Sequence, residues 1–187
     1  MTEYYLDFET QGTNPENHKI ITIQFQRVDT KTGRASGNLE ILKEWELSES
    51  EMLERFLSRF HSEHQWGFVP IGFNLRFELL FLRHRAKSVM DRDLNLDWLY
   101  YEQPWLDIKP VLIMINSGQF STTLDCFVKK SMDHSKVPIW YEKSMYDKII
   151  DYIKDETKRF LHAYQFLKLK LPVLGNEYIP LSHPCEL

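Results

Sequence analysis

Two stretches of strict alternation near the amino end constrain the fold most. Tyr4, Leu6 and Phe8 share one face of an extended segment that stops at Thr10-Gln11-Gly12, and Ile21, Ile23 and Phe25 repeat the period before the turn around Lys31-Thr32-Gly33. A third strand is expected over residues 39–45. The period then becomes helical. Ser48 stands three residues before Glu51, a capping-box spacing, and Met52, Leu53, Phe56, Leu57 and Phe60 recur at helical intervals to about residue 64. Residues 68–73 are a short apolar run suited to a buried strand. Asn74 is then placed to cap a second helix carrying Leu75, Leu79, Leu80, Leu82 and Ala86. Residues 105–108 read as a strand, 111–115 as a buried helix or strand, and 146–169 as a long helix. Pro172, Pro180 and Pro184 predict an irregular tail from about residue 172. Three antiparallel strands followed by alternating helices and strands predict one α/β domain over residues 1–187, a mixed sheet flanked by helices.

Composition narrows the setting. Roughly 100 to 200 residues make a domain, so 187 residues suffice for a core without disulfide or metal staples. Cys126 and Cys185 have no paired spacing, which excludes a thiolate zinc site and fits a reducing compartment, by default the cytoplasm. No stretch approaches 18 apolar residues, and the first residues lack a basic segment, so neither membrane span nor signal peptide is expected. The net charge of −4 speaks against gripping nucleic acid by bulk charge.

Four carboxylates fall at element edges. Asp7 and Glu9 are two apart in a strand and therefore point to one face, while Leu6 and Phe8 take the other. A solvated strand end explains such a pair; so does a hard divalent cation, which offsets the desolvation of two acids. Glu78 lies one helical turn beyond Asn74, beside the carboxyl end of the expected buried strand, where ligands gather. The helix dipole alone also favours an acid there. In the last helix Ile149, Ile153, Phe160, Tyr164 and Leu167 make an apolar stripe. Glu156 falls beside its centre with Tyr152 one turn earlier, whereas Asp151 and Asp155 point to solvent.

These segments, in this order, resemble the three motifs of the DEDD superfamily of 3′-to-5′ exonucleases, which have a ribonuclease H-like fold. Leu6-Asp7-Phe8-Glu9-Thr10 resembles the first motif, Gly72-Phe73-Asn74-Leu75-Arg76-Phe77-Glu78 the second, and Tyr152-Ile153-Lys154-Asp155-Glu156-Thr157 the third in its tyrosine form. The likeness covers residues 4 to about 165 and is nearest to exonuclease domains related to family B DNA polymerases. The second and third acids, Asp in the family, are Glu78 and Glu156 here. The resemblance implies two Mg²⁺ or Mn²⁺ ions, with Asp7 bridging both, Glu9 and Glu156 completing one site and Glu78 holding the other. It implies Tyr152 positioning the attacking water, and Phe8, Thr10, Asn74 and Arg76 contacting the terminal nucleotide of a single-stranded DNA or RNA 3′ end. The longer Glu side chains also admit a catalytically weak module that binds nucleic acid or scaffolds a replication or repair complex.

The remaining candidates have plain readings. Arg83, Arg85, Lys87 and Arg92 near a helix C-terminus, like Lys129, Lys130 and Lys136, are expected on a solvated face. His61 and His64 lack further ligands, and Trp98, Tyr100, Tyr101 and Trp105 suit a core or interface better than base stacking. Setting aside Asp7, Glu9, Glu78 and Glu156 leaves 23 acids against 23 Lys plus Arg. Two divalent ions would cancel the charge of those four acids, so acidity does not exclude a nuclease.

Overall fold

The computed structural model describes residues 1–61, 66–115 and 134–178. Strands β1 (Glu3–Thr10), β2 (Ile20–Val28) and β3 (Ala35–Lys43) precede helix α1 (Glu49–Phe60). Strand β4 (Val69–Gly72), helix α2 (Arg76–Met90), strand β5 (Leu106–Asp107) and helices α3 (Lys109–Ile115), α4 (Val137–Glu142) and α5 (Tyr146–Tyr178) follow. The sheet order is β3-β2-β1-β4-β5. The first three strands are antiparallel neighbours, and β1, β4 and β5 run parallel. The α/β reading with a mixed sheet therefore stands, and β1 lies at its centre.

Local chemistry explains the element starts. The Ser48 hydroxyl accepts the Glu51 N–H while the Glu51 carboxylate accepts the Ser48 N–H at 2.9 Å, closing the capping box of α1. Glu49, buried beside this cap, accepts the Ile20 N–H and a bidentate Arg85 guanidinium, tying α1 to β2 and α2. Arg85 thus serves the fold. Lys87 pairs with Asp91 and Asp93, and Arg92 with Glu54.

The two faces of β1 carry the layering. Leu6 and Phe8 pack with Met52, Phe56, Leu79 and Leu82 of α1 and α2, whereas Tyr5 packs with Phe160 and Tyr164 of α5. Between Glu9 and Thr10 the β1–β2 register slips, so Thr22 pairs with Glu9 but Ile20 with Thr10. This bulge sends Ile20 to the α1 side and Ile21 to the α5 side, against Ile149 and Ile153. At the start of β1, buried Glu3 accepts bonds from the Tyr164 hydroxyl at 2.7 Å and Lys168 at 2.9 Å, which clasps α5 over the sheet.

Two expectations change, and one left open is resolved. Asn74 does not cap α2 through its side chain: it adopts φ 69°, and its N–H donates to Asp107. The α5 backbone stays helical through Pro172 to Tyr178, so the expected irregular tail from about residue 172 does not begin there; residues beyond 178 lie outside the described ones. Residues 111–115 are helical, within α3. Trp98, Tyr100 and Trp105 pack on the core while Tyr101 is 84% exposed, and His61 stacks on Trp98. His64, Cys126, Lys129, Lys130 and Cys185 lie outside the described residues. No helix among those described is long and apolar enough to cross a membrane.

Candidate metal centre

Because β1, β4 and β5 run parallel, their carboxyl ends meet at one edge of the sheet. Asp7 and Glu9 occupy this end of β1 and face α5, as their spacing predicts. Glu156 reaches them from α5, and one carboxylate oxygen from each of the three acids lies within 4.8 Å of the others. Glu78, in the first turn of α2, stands outside that group. Its side chain is buried and its Oε2 has no hydrogen-bond partner among the described residues. Asp151 is exposed, and Asp155 pairs with Arg159 at 2.9 Å, leaving Glu156 as the α5 acid that joins the cluster.

The approach to Glu78 is built from close backbone contacts. A Cβ on Gly72 would meet the Leu6 carbonyl oxygen at 2.8 Å, so β4 packs against β1 at a distance that excludes a side chain. Asn74 turns the chain from β4 into α2 through the left-handed region, which Asn tolerates better than most residues. Asp107 Oδ1 accepts the N–H groups of Asn74 and Lys109, at 2.8 and 2.9 Å, and the Lys109 ammonium donates to Asn74 Oδ1 at 3.1 Å. Asp107 and Lys109 therefore clamp the turn that presents Glu78. Neither belongs to a recognisable motif, and a strand of two residues leaves little periodic signal.

The electrostatics are those of acids withdrawn from water and crowded together. Burial, opposed by hydrogen bonds from Gln24 and Tyr5, raises the Asp7 carboxyl to about 6. Burial first, then the negative Glu156, Asp7 and Glu78, pushes Glu9 well above the usual carboxylate range. Glu78 is driven the same way by burial, then by Asp7 and Asp107. No Lys or Arg among the described residues forms an ion pair with Asp7, Glu9 or Glu78. Burial, followed by Glu9 and Glu156, raises the Tyr152 phenol, whose side chain hydrogen-bonds Glu156. It is a neutral donor at physiological pH.

A cleft of about 410 Å³ opens over Asp7, Glu9 and Glu156; Glu78 does not line it. Asp7, Glu9, Tyr152 and Glu156 line it with Phe8, Thr10 and Asn74, and the walls include Tyr5, Phe73, Phe77 and Phe160. Arg76 is exposed at the first position of α2 and does not line this cleft. Hard carboxylate oxygens crowded in this way suit a hard divalent cation such as Mg²⁺ or Mn²⁺.

Neither a family model nor a curated protein matches the sequence. Solved structures do match. A product-bound exonuclease I superposes with a TM-score of 0.61 at 14% identity, over 94% of this chain and 45% of its own. The exonuclease I of Methylocaldum szegediense gives 0.62 at 16% identity, over 94% and 42%. An inhibitor-bound exonuclease I gives 0.60 at 13% identity, over 94% and 43%. The chain has the ribonuclease H-like exonuclease fold. It spans less than half the length of these exonucleases. Within the exonuclease fold, the acids of β1, α2 and α5 occupy the carboxyl edge of the parallel strands.

Proposed function

We propose that the chain is a metal-dependent exonuclease that hydrolyses phosphodiester bonds at the 3′ end of single-stranded nucleic acid. The observation that carries this reading is the convergence of Asp7, Glu9 and Glu156, from elements almost 150 residues apart in sequence, to within 4.8 Å in one cleft. Asp7, Glu9 and Glu156 would hold one divalent ion, and Asp7 with Glu78 a second. Bound there, two ions supply Lewis-acid stabilisation to the attacking and leaving oxygens of an in-line displacement.

The protein groups have separable tasks. Tyr152, kept protonated by burial and neighbouring acids, orients Glu156 and presents a hydroxyl to the cleft without acting as a strong base. Phe73 and Phe77, both half-buried at the cleft wall, offer aromatic surface against which a terminal base stacks. Asn74 presents its amide at the cleft wall, and Thr10 and Phe8 line the cleft beside the β1 acids. With the four acids neutralised by metal, the remaining charge is balanced, so binding is short-range and metal-dependent. A firm grip on long nucleic acid would then come from a partner or a further part of a longer protein.

Incubation with 3′-labelled and 5′-labelled single strands in Mg²⁺ or Mn²⁺ tests the reading. Stepwise release from the 3′ end, abolished by chelation and reduced by at least about a hundredfold in Asp7→Asn, is expected. Metal-dependent turnover that survives intact in Asp7→Asn sinks the assignment. Metal binding without any turnover would favour the weak binding module instead.

A further inference from the structure

Gln24 has no exposed surface, although it sits on β2 facing the helix α5 side of the sheet, where an apolar side chain would pack at lower desolvation cost. Its register explains its partners. Asp7 lies opposite Gln24, and Glu9 opposite Thr22. Gln24 Nε2 donates to Asp7 Oδ2 at 2.8 Å and reaches Glu9 Oε1 at 3.5 Å. The Thr22 hydroxyl, also fully buried, donates to Gln24 Oε1 at 2.9 Å. Tyr5 reaches Asp7 at only 3.4 Å, so Gln24 makes the shortest side-chain hydrogen bond to Asp7 or Glu9 among the described residues.

An amide has one accepting and one donating end. Reversed, Gln24 would aim its oxygen at two carboxylates and leave Thr22 facing an NH₂ group. The carboxylates, which only accept when ionised, select the orientation in which the NH₂ group points to the acids, and the Thr22 hydroxyl, able to donate or accept, braces the oxygen at the other end. We propose that Gln24 is a positioning residue, braced by Thr22, which holds Asp7 and Glu9 in the relative placement that binds a divalent cation. Hydrogen bonds to a ligating carboxylate orient it and tune its affinity, and their loss costs about 10- to 100-fold in metal binding. This inference rests on the metal-dependent reading above.

The test is Mn²⁺ titration of the full chain by calorimetry, with electron paramagnetic resonance of the bound ion, for the unsubstituted protein, Gln24→Met and Thr22→Val. Gln24→Met keeps similar bulk without the donor and is expected to raise the Mn²⁺ Kd about 10- to 100-fold. Thr22→Val removes no hydrogen bond to either acid, yet it is expected to raise Kd several-fold and to alter the resonance spectrum. In turnover assays, raised Mn²⁺ should restore kcat in both variants while KM for the oligonucleotide stays constant. Unchanged Mn²⁺ affinity in folded Gln24→Met overturns the inference. If that variant does not fold, unchanged affinity in Thr22→Val overturns it equally. Mn²⁺ binding by the unsubstituted chain with no effect of either substitution removes this inference alone; no binding by the unsubstituted chain removes the proposed function as well.

Discussion

Asp7, Glu9 and Glu78 all hold their protons more tightly in the folded chain than an exposed carboxyl does, because burial and, for Glu9 and Glu78, neighbouring acids disfavour their charge. The sign for stability follows. A carboxyl with a raised folded pKa binds more protons folded than unfolded, so the metal-free protein loses stability as pH rises from its unfolded value through its folded one. For Asp7 that window runs from 3.8 to about 6, and for the other two it opens at 4.5 and runs upward. Within it each such group contributes a slope of up to ~1.4 kcal/mol per pH unit. Thermal melts in chelator should therefore give a higher midpoint at pH 5 than at pH 8, and the opposite order would contradict the buried cluster. At this scale the acids were legible: a two-residue spacing on a strand, an acid beside an apolar helical stripe, and an Asn four residues before Glu78. Gln24, Thr22, Asp107 and Lys109 were not, because each acquires its role from a partner across the sheet or a turn, and that depends on register.

Among the elements, β4 and the turn after it set where Glu78 stands relative to β1. Gly72 lies where a Cβ would meet the Leu6 carbonyl oxygen at 2.8 Å and Leu75 Cδ2 at 2.5 Å. The leucine tip can move; a carbonyl in the central strand, one residue from Asp7, cannot without shifting that strand. Gly72→Ala should therefore lose about 1–3 kcal/mol of stability, the cost of overpacking, and also weaken Mn²⁺ binding. Denaturant unfolding and calorimetry together check this, since a loss of stability with full metal affinity would mean that β4 shifts without disturbing Asp7. The elements themselves were largely readable. The capping box of α1 and the alternation of β1 and β2 are signals contained within a few residues. The misreadings occurred where tertiary contacts override local preference. Asn74 is a good helix cap by type, but Asp107 takes its N–H and Lys109 its side-chain oxygen, so it becomes the hinge of a left-handed turn. Pro172 predicts a helix end, yet α5 runs on to Tyr178 after more than twenty residues packed on the sheet through Ile153, Phe160, Tyr164 and Leu167.

For the whole molecule, the proposed metal site would make folding and cation binding linked equilibria. Cation binding to the folded state alone stabilises it by about 2.7 kcal/mol at a concentration 100 times Kd. Added Mn²⁺ should raise the melting midpoint, chelator should reverse it, and the rise should be larger at pH 8 than at pH 5, where protons compete for the same oxygens. A midpoint insensitive to Mn²⁺ at pH 8 would argue against the proposed two-ion site. The sequence by itself determined the strand and helix periods, and with them which acids share a face with which apolar residues, because those relations repeat every two or 3.6 residues along one segment. Only the tertiary structure decided that β1 lies between an antiparallel β2 and a parallel β4, and that α5 crosses the face carrying Asp7 and Glu9. Those placements set the distance from Glu156 to the β1 acids, the donor that Gln24 extends to them, and the burial that raises their affinity for a proton or a cation. They arise from packing between segments far apart in the chain, which no local period encodes.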